Sequence, residues 1–79
     1  MYVYLLQSER FPSKRYIGIT TDIEQRLMEH NQGKSPHTSK FRPWELKVSI
    51  WFDDKDKAAV FEQYLKRGSG HAFARRHFW

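Results

Sequence analysis

Two tyrosines, an arginine, a histidine and a glutamate stand where they could together hydrolyse a phosphodiester: Tyr4, Tyr16, Arg26, His30 and Glu62. Breaking such a bond requires an activated water, neutralisation of the charge that gathers on phosphate, and help for the leaving oxygen. Arg26 suits the second task, because a guanidinium is always cationic and its forked donors match phosphate oxygens. Glu62 suits a hard divalent ion, which often takes only one or two protein carboxylates beside water and substrate phosphate. A phenol ordinarily titrates at about 10, so a tyrosine base needs a metal or a cation beside it. His30, one helical turn beyond Arg26, is placed to orient a tyrosine hydroxyl or to move a proton. Gly18, with no side chain, is expected to let substrate approach the sheet closely.

Each of these residues also has an ordinary structural reading. Tyr4 and Tyr16 can be core aromatics, and His30 can be a dipole partner at a helix C-terminus. Arg26 can pair with Asp22, and Glu62 with Lys66, both at four-residue helical spacing. The elements that carry the set therefore matter.

The first seven residues and residues 15–19 are apolar, β-prone runs separated by a polar, Pro12-containing loop, which predicts a hairpin. Alternation puts Tyr2, Tyr4 and Leu6 on one face of the first strand, and Tyr16, Gly18 and Thr20 on one face of the second. Thr21-Asp22-Ile23-Glu24 reads as a capping box, with Thr21 as N-cap, opening a helix that ends near Asn31-Gln32-Gly33. Asp22, Arg26 and His30 make one stripe of that helix, and Ile23 and Leu27 its apolar edge. Residues 33–43 are polar, basic and turn-rich, a loop. Residues 44–52 alternate, with Leu46, Val48, Ile50 and Phe52 expected to face one way. Asp53-Asp54 caps a helix over residues 55–67 whose apolar face is Ala58, Phe61, Tyr64 and Leu65, with Glu62 at its margin. Gly68-Ser69-Gly70 is expected to break it, and residues 71–78 to form a short helix anchored by Phe73. The order β-β-α-β-α-α describes one α+β domain spanning residues 1–79, with a three-stranded antiparallel sheet flanked by helices.

At 79 residues the chain is near the size where a single core only just suffices. It has no cysteine, which excludes disulfides and thiolate zinc sites and favours a reducing, cytoplasmic home. The N-terminal apolar run is too short to span a membrane and lacks the layout of a signal peptide, so no membrane partner is expected. Net charge is +5, with a pI near 9.8. No acid lies between His30 and Trp44, where Lys34, Lys40 and Arg42 fall, and none follows Glu62, where Lys66, Arg67, Arg75 and Arg76 fall. Basic stretches that also carry aromatics suit a phosphate backbone, so nucleic acid is the expected partner. Trp44, Trp51 and Trp79 are candidates for stacking on bases, although Trp44 and Trp51 are expected to be packing residues.

In order and spacing the set resembles the GIY-YIG nuclease family, above all its small single-domain bacterial members, over residues 2–73. The second motif is intact as Tyr16-Ile17-Gly18. The first keeps its tyrosine in Tyr2-Val3-Tyr4 but not the preceding Gly-Ile. Arg26-Leu27-Met28-Glu29-His30, followed by Asn31 and Gly33, is similar to the family's helix motif, and Phe61-Glu62-Gln63-Tyr64-Leu65-Lys66 to the segment around its metal-binding glutamate. The resemblance implies a metal-dependent endonuclease acting on DNA, structure-selective or weakly sequence-selective, using Mg²⁺ or another divalent cation such as Mn²⁺. It implies Tyr16 as general base with Tyr4 in support, Arg26 as phosphate clamp, His30 as an auxiliary proton or orientation residue, and Glu62 as metal ligand. Gly18, Lys34, Lys40, Arg42 and Lys66 are the expected substrate contacts. The asparagine that larger members carry near the module's end has no counterpart, since Asn31 is the only asparagine. Two alternatives stay open: a non-catalytic nucleic-acid-binding module, and a nuclease subunit whose protein partner supplies specificity.

Overall fold

The computed structural model describes residues 1–79, which form a three-stranded antiparallel sheet and three helices. Strands β1 (Tyr2–Ser8), β2 (Arg15–Thr20) and β3 (Trp44–Trp51) lie in the order β2-β1-β3. The central strand is the apolar one because it is covered on both faces. Val3, Leu5 and Leu6 are fully buried, and they face alternately into two separate cores.

The pairing register brings Tyr4 opposite Gly18 and Leu6 opposite Tyr16, so both tyrosines share one face, as alternation predicts. On the other side of β1 the register slips. Leu5 pairs with Val48 but Leu6 pairs with Leu46, leaving Lys47 as the extra residue of a bulge. The expectation that Leu46, Val48, Ile50 and Phe52 share a face is thereby corrected. Val48 and Phe52 pack with Val3 and Leu5, whereas Leu46 crosses to the tyrosine face and joins Leu6, Tyr4 and Trp44.

Helix α1 (Ile23–Asn31) lies on the tyrosine face and contributes Ile23 and Leu27 to its core. Its N-cap is Asp22, whose carboxylate accepts from the Gln25 amide at 3.1 Å, and not Thr21 as expected. Thr20 decides this: its hydroxyl oxygen accepts from the Asp22 amide at 3.1 Å, which places the aspartate one residue before the helix. The polar segment after α1, with a short 3₁₀ turn at Ser39–Phe41, folds back over the same face.

Helices α2 (Lys55–Leu65) and α3 (Gly68–His77) cover the opposite face through Ala58, Leu65 and Ala74. The Asp54 carboxylate caps α2 by accepting from the Asp56 and Lys57 amides. Gly68-Ser69-Gly70 was expected to separate the two helices, yet it forms the first turn of α3. Packing overrides the low helix propensity of glycine here. A Cβ on Gly70 would fall 1.7 Å from the Tyr64 carbonyl oxygen, so only glycine admits α3 this close to α2. That start sets the helix phase so that Gly70 and Ala74, four residues apart, face inward. Phe73, the expected anchor, is 38% exposed. No helix is long and apolar enough to cross a membrane.

Candidate active site

On the tyrosine face a chain of hydrogen bonds runs from the surface into the core. The Arg26 Nε–H donates to the Tyr4 hydroxyl at 3.3 Å. That hydroxyl lies 2.9 Å from His30 Nε2, and His30 Nδ1 lies 2.8 Å from the Thr38 hydroxyl. Thr38 in turn donates to the Ser35 carbonyl at 3.4 Å. Counting donors assigns the protons: with its own hydrogen given to Ser35, Thr38 accepts the His30 Nδ1–H. The Nε2 of the neutral ring is then bare and accepts the Tyr4 O–H. Tyr4 oxygen keeps its lone pairs for Arg26.

Burial decides how these groups titrate. Tyr4 is 2% exposed and His30 fully buried. Desolvation pushes the Tyr4 phenol up to about 12, against the opposing pull of Arg26. Desolvation also holds His30 below its usual value, with the Arg26 charge acting in the same direction. The Arg26 guanidinium is held more firmly cationic by its bonds to Tyr4 and then Glu29. The Arg26–Glu29 ion pair, at 3.0 Å, draws the Glu29 carboxyl below its ordinary range. Arg26 therefore does not pair with Asp22, which is occupied as the helix cap. Nε and one hydrogen on Nη1 are committed, and the Nη2 edge is left for an anion.

Tyr16 sits beside this chain. Its ring centroid is 6.0 Å from that of Tyr4 and 4.8 Å from that of His30, and the residue is half-buried. Four of the expected catalytic residues, Tyr4, Tyr16, Arg26 and His30, are thus one cluster. Glu62 comes from α2, which packs on the other face and contacts β2. Its carboxylate accepts from Lys66 Nζ at 2.7 Å and from Gln63 Nε2 at 2.9 Å. Glu62 makes no hydrogen bond to the cluster; its partner Lys66 lines one cleft with Tyr16 at the free edge of β2.

Among the expected substrate contacts, Gly18 takes a different part. It is buried, and Tyr4 and Tyr16 occupy the space above it. It seats the Tyr4 ring and offers no open platform. Lys34 and Lys40 are exposed on the loop over α1's end, as expected. Arg42 is exposed but folded back, donating through Nε to the Ser39 carbonyl at 2.9 Å and lying over Gly33. Trp44 is a packing residue, buried and donating its indole N–H to the Thr38 carbonyl at 2.9 Å. Trp51 was expected to pack as well, but it is 61% exposed and stands against Tyr2.

Sequence reasoning missed Thr38, the buried end of the relay. Nothing in the composition of residues 33–43 separates it from its polar neighbours, because a loop has no periodicity to mark an inward side chain. Asn31 is equally informative in retrospect. It brackets the Trp44 backbone, accepting from its amide at 2.6 Å and donating to its carbonyl at 3.2 Å, and so pins α1 to β3.

A single hard oxygen donor group is what Glu62 offers, and nowhere in the chain do three ligating side chains converge. Its side chain is 12% exposed. That donor set fits an ion such as Mg²⁺, which keeps most of its water and shares substrate phosphate.

Known proteins are similar to this chain in sequence. Residues 1–75 match the family described as the GIY-YIG catalytic domain. The chain is 39% identical to the structure-specific endonuclease subunit SLX1 of Scheffersomyces stipitis, over 95% of this chain and 23% of that protein. It is also 39% identical to UPF0213 protein YsiG of Lactococcus lactis subsp. lactis, over 82% of this chain and 62% of the relative. A UPF0213 protein of Streptococcus pneumoniae serotype 4 is 37% identical over 84% of this chain and 66% of its own length. The chain thus spans less than two-thirds of each of these relatives. No solved structure matches it.

Proposed function

The chain belongs to the GIY-YIG catalytic domain family, and on that premise we propose that it is a metal-dependent endonuclease hydrolysing phosphodiester bonds in DNA. The observation that carries this reading is the Arg26–Tyr4–His30 chain beside Tyr16, which holds a cation and a phenol on one face. Arg26 turns its Nη2 edge to the scissile phosphate, where a forked cation lowers the energy of developing charge.

The two tyrosines divide the work. Tyr4 donates its O–H to His30 Nε2 and is held protonated by burial, so it positions Arg26 and does not act as base. Tyr16, half-buried and open to the cleft, takes the proton from the attacking water as a phenolate, its own proton having first passed to solvent. His30 serves as the fixed acceptor that orients Tyr4. Glu62 would hold a divalent ion, which would supply Lewis-acid polarisation at the phosphate when bound. Lys34, Lys40, Arg42 and Lys66 hold the strand through phosphates, which position a substrate without reading its sequence.

Selectivity for DNA structure is part of the proposal, on the strength of what the Scheffersomyces relative is called. That relative is by name a subunit, so a protein partner supplying specificity belongs to the proposal too. One observation favours the binding-module alternative: the Glu62 carboxylate is engaged by Lys66.

The deciding experiment incubates the pure chain with supercoiled, branched and single-stranded DNA, with Mg²⁺, Mn²⁺ or EDTA, alongside Glu62→Ala and Tyr16→Phe. Metal-dependent cutting abolished by both substitutions is the expected result. DNA binding without cutting under every condition, with or without cell extract, would sink the nuclease reading and leave the binding module.

A further inference from the structure

The free edge of β2 and the ends of α2 and α3 enclose a cleft of about 290 Å³, of whose lining only Tyr16 and Lys66 have a role above. Arg15 and Tyr16 come from β2, Lys66 from the end of α2, His71 from α3, and Trp79 from the segment after it. Ile17 and Leu65 complete the lining. The Arg15 guanidinium carbon stands 5.0 Å from the centre of the Trp79 ring, a cation–π contact that holds this long side chain in place. Lys66 is held from the other side by its bond to Glu62. Two fixed cations therefore flank an apolar patch, and no acid lines the cleft. A tyrosine proposed to act on a phosphodiester is part of the same wall.

We infer that this cleft is a nucleotide subsite, taking one phosphate of the substrate strand between Arg15 and Lys66 and resting the attached sugar and base on the apolar lining. The chemistry is that of a strand running past the scissile position: a monoanionic phosphate needs forked and point-charge donors, and the sugar and base edge need dry surface. His71 lines the same cleft and offers a further nitrogen donor there. The inference rests on the nuclease reading for its orientation, because Tyr16 lines the cleft. It differs from that reading in what it requires, since binding here needs neither Glu62's ion nor turnover.

The test is performed in EDTA with a short 5′-phosphorylated single-stranded DNA. Its addition to ¹⁵N-labelled protein is expected to shift the Arg15 and His71 amides and the Trp79 indole N–H. Arg15→Ala should weaken binding about tenfold, the scale of one charge-assisted hydrogen bond. It should also lower the salt slope by roughly 0.7, the value of one phosphate contact on a single strand. Lys55→Ala, an equal loss of charge at the exposed start of α2, should leave both quantities nearly unchanged. Equal effects from the two substitutions, or an unshifted Trp79 indole, would overturn the subsite. If Arg15→Ala weakens binding while no variant or wild type ever cuts DNA, the subsite stands and the nuclease reading falls. If the wild type cuts and Arg15→Ala cuts and binds equally well, the reverse holds.

Discussion

The Tyr4 ring lies across Gly18, with its hydroxyl oxygen 2.6 Å and its ring carbon Cζ 2.7 Å from where a Cβ on residue 18 would fall. The glycine of the Tyr16-Ile17-Gly18 motif is thus explained by its cross-strand partner. A side chain there would push away the phenol that holds both Arg26 and His30.

Gly18→Ala is therefore expected to destabilise the fold by about 1–3 kcal/mol, the range for overpacking a filled site. It should also shift the Tyr4 ring and lower activity further than Tyr4→Phe does, since Tyr4→Phe leaves the ring seated. Urea denaturation and cleavage rates on the same preparations check both halves.

Stability should fall at both ends of the pH scale, for opposite reasons. His30 is depressed below 6.5 in the fold, so the unfolded chain binds its proton first, and stability is lost as pH falls through 6.5 towards the folded value. Tyr4 is raised from 10.0 to about 12, so stability is complete below 10 and is lost between 10 and 12. A shift of that size corresponds to about 2–3 kcal/mol. Thermal melting across pH should show both limbs, with the acid limb flattened in His30→Gln and the alkaline limb in Tyr4→Phe.

Thr38→Val keeps the shape but removes the acceptor for His30 Nδ1–H. It is expected to cost about 1–3 kcal/mol, the penalty for a buried donor left unpaired, and Thr38→Ser should restore most of it. Nitrogen chemical shifts of the imidazole distinguish a positioning role from simple packing. The Nδ1–H form should dominate in wild type and Thr38→Ser, and give way to mixed tautomers in Thr38→Val.

Lys66 competes with any cation for Glu62. Lys66→Met should therefore tighten Mn²⁺ binding, measured by electron paramagnetic resonance of the free ion. The same substitution should weaken DNA binding in EDTA. Glu62→Gln should abolish the metal binding while the fold persists, since the amide keeps an oxygen in the same place to accept from Lys66.

Much of this is legible in the sequence, and what is not has particular physical causes. Period-two alternation placed Tyr4 and Tyr16 on one face because both strands are regular where they pair. The same rule misplaced Leu46, since the bulge at Lys47 leaves no mark in an uninterrupted apolar–polar alternation. Helix spacing aligned Arg26 with His30 correctly. It could not reveal that His30 is fully buried, because its cover is an irregular loop. Gly68-Ser69-Gly70 signals a break by propensity, but the contact of Gly70 with Tyr64 is a tertiary fact. Glu62's position relative to Tyr16 depends on how α2 crosses β2, which no local pattern encodes.

Only 13 of 79 residues are buried, and Tyr4, His30 and Thr38 are among them. Folding and function here draw on the same few side chains. In a larger domain the residues that arrange a site can be exchanged while a separate interior keeps the molecule intact. Here, variation that improves the site must pass through sequences that still fold, and the margin of a domain this small is a few kcal/mol. Drift is thereby channelled to the exposed loops and helix surfaces, where substrate preference can change while the relay beneath stays as it is.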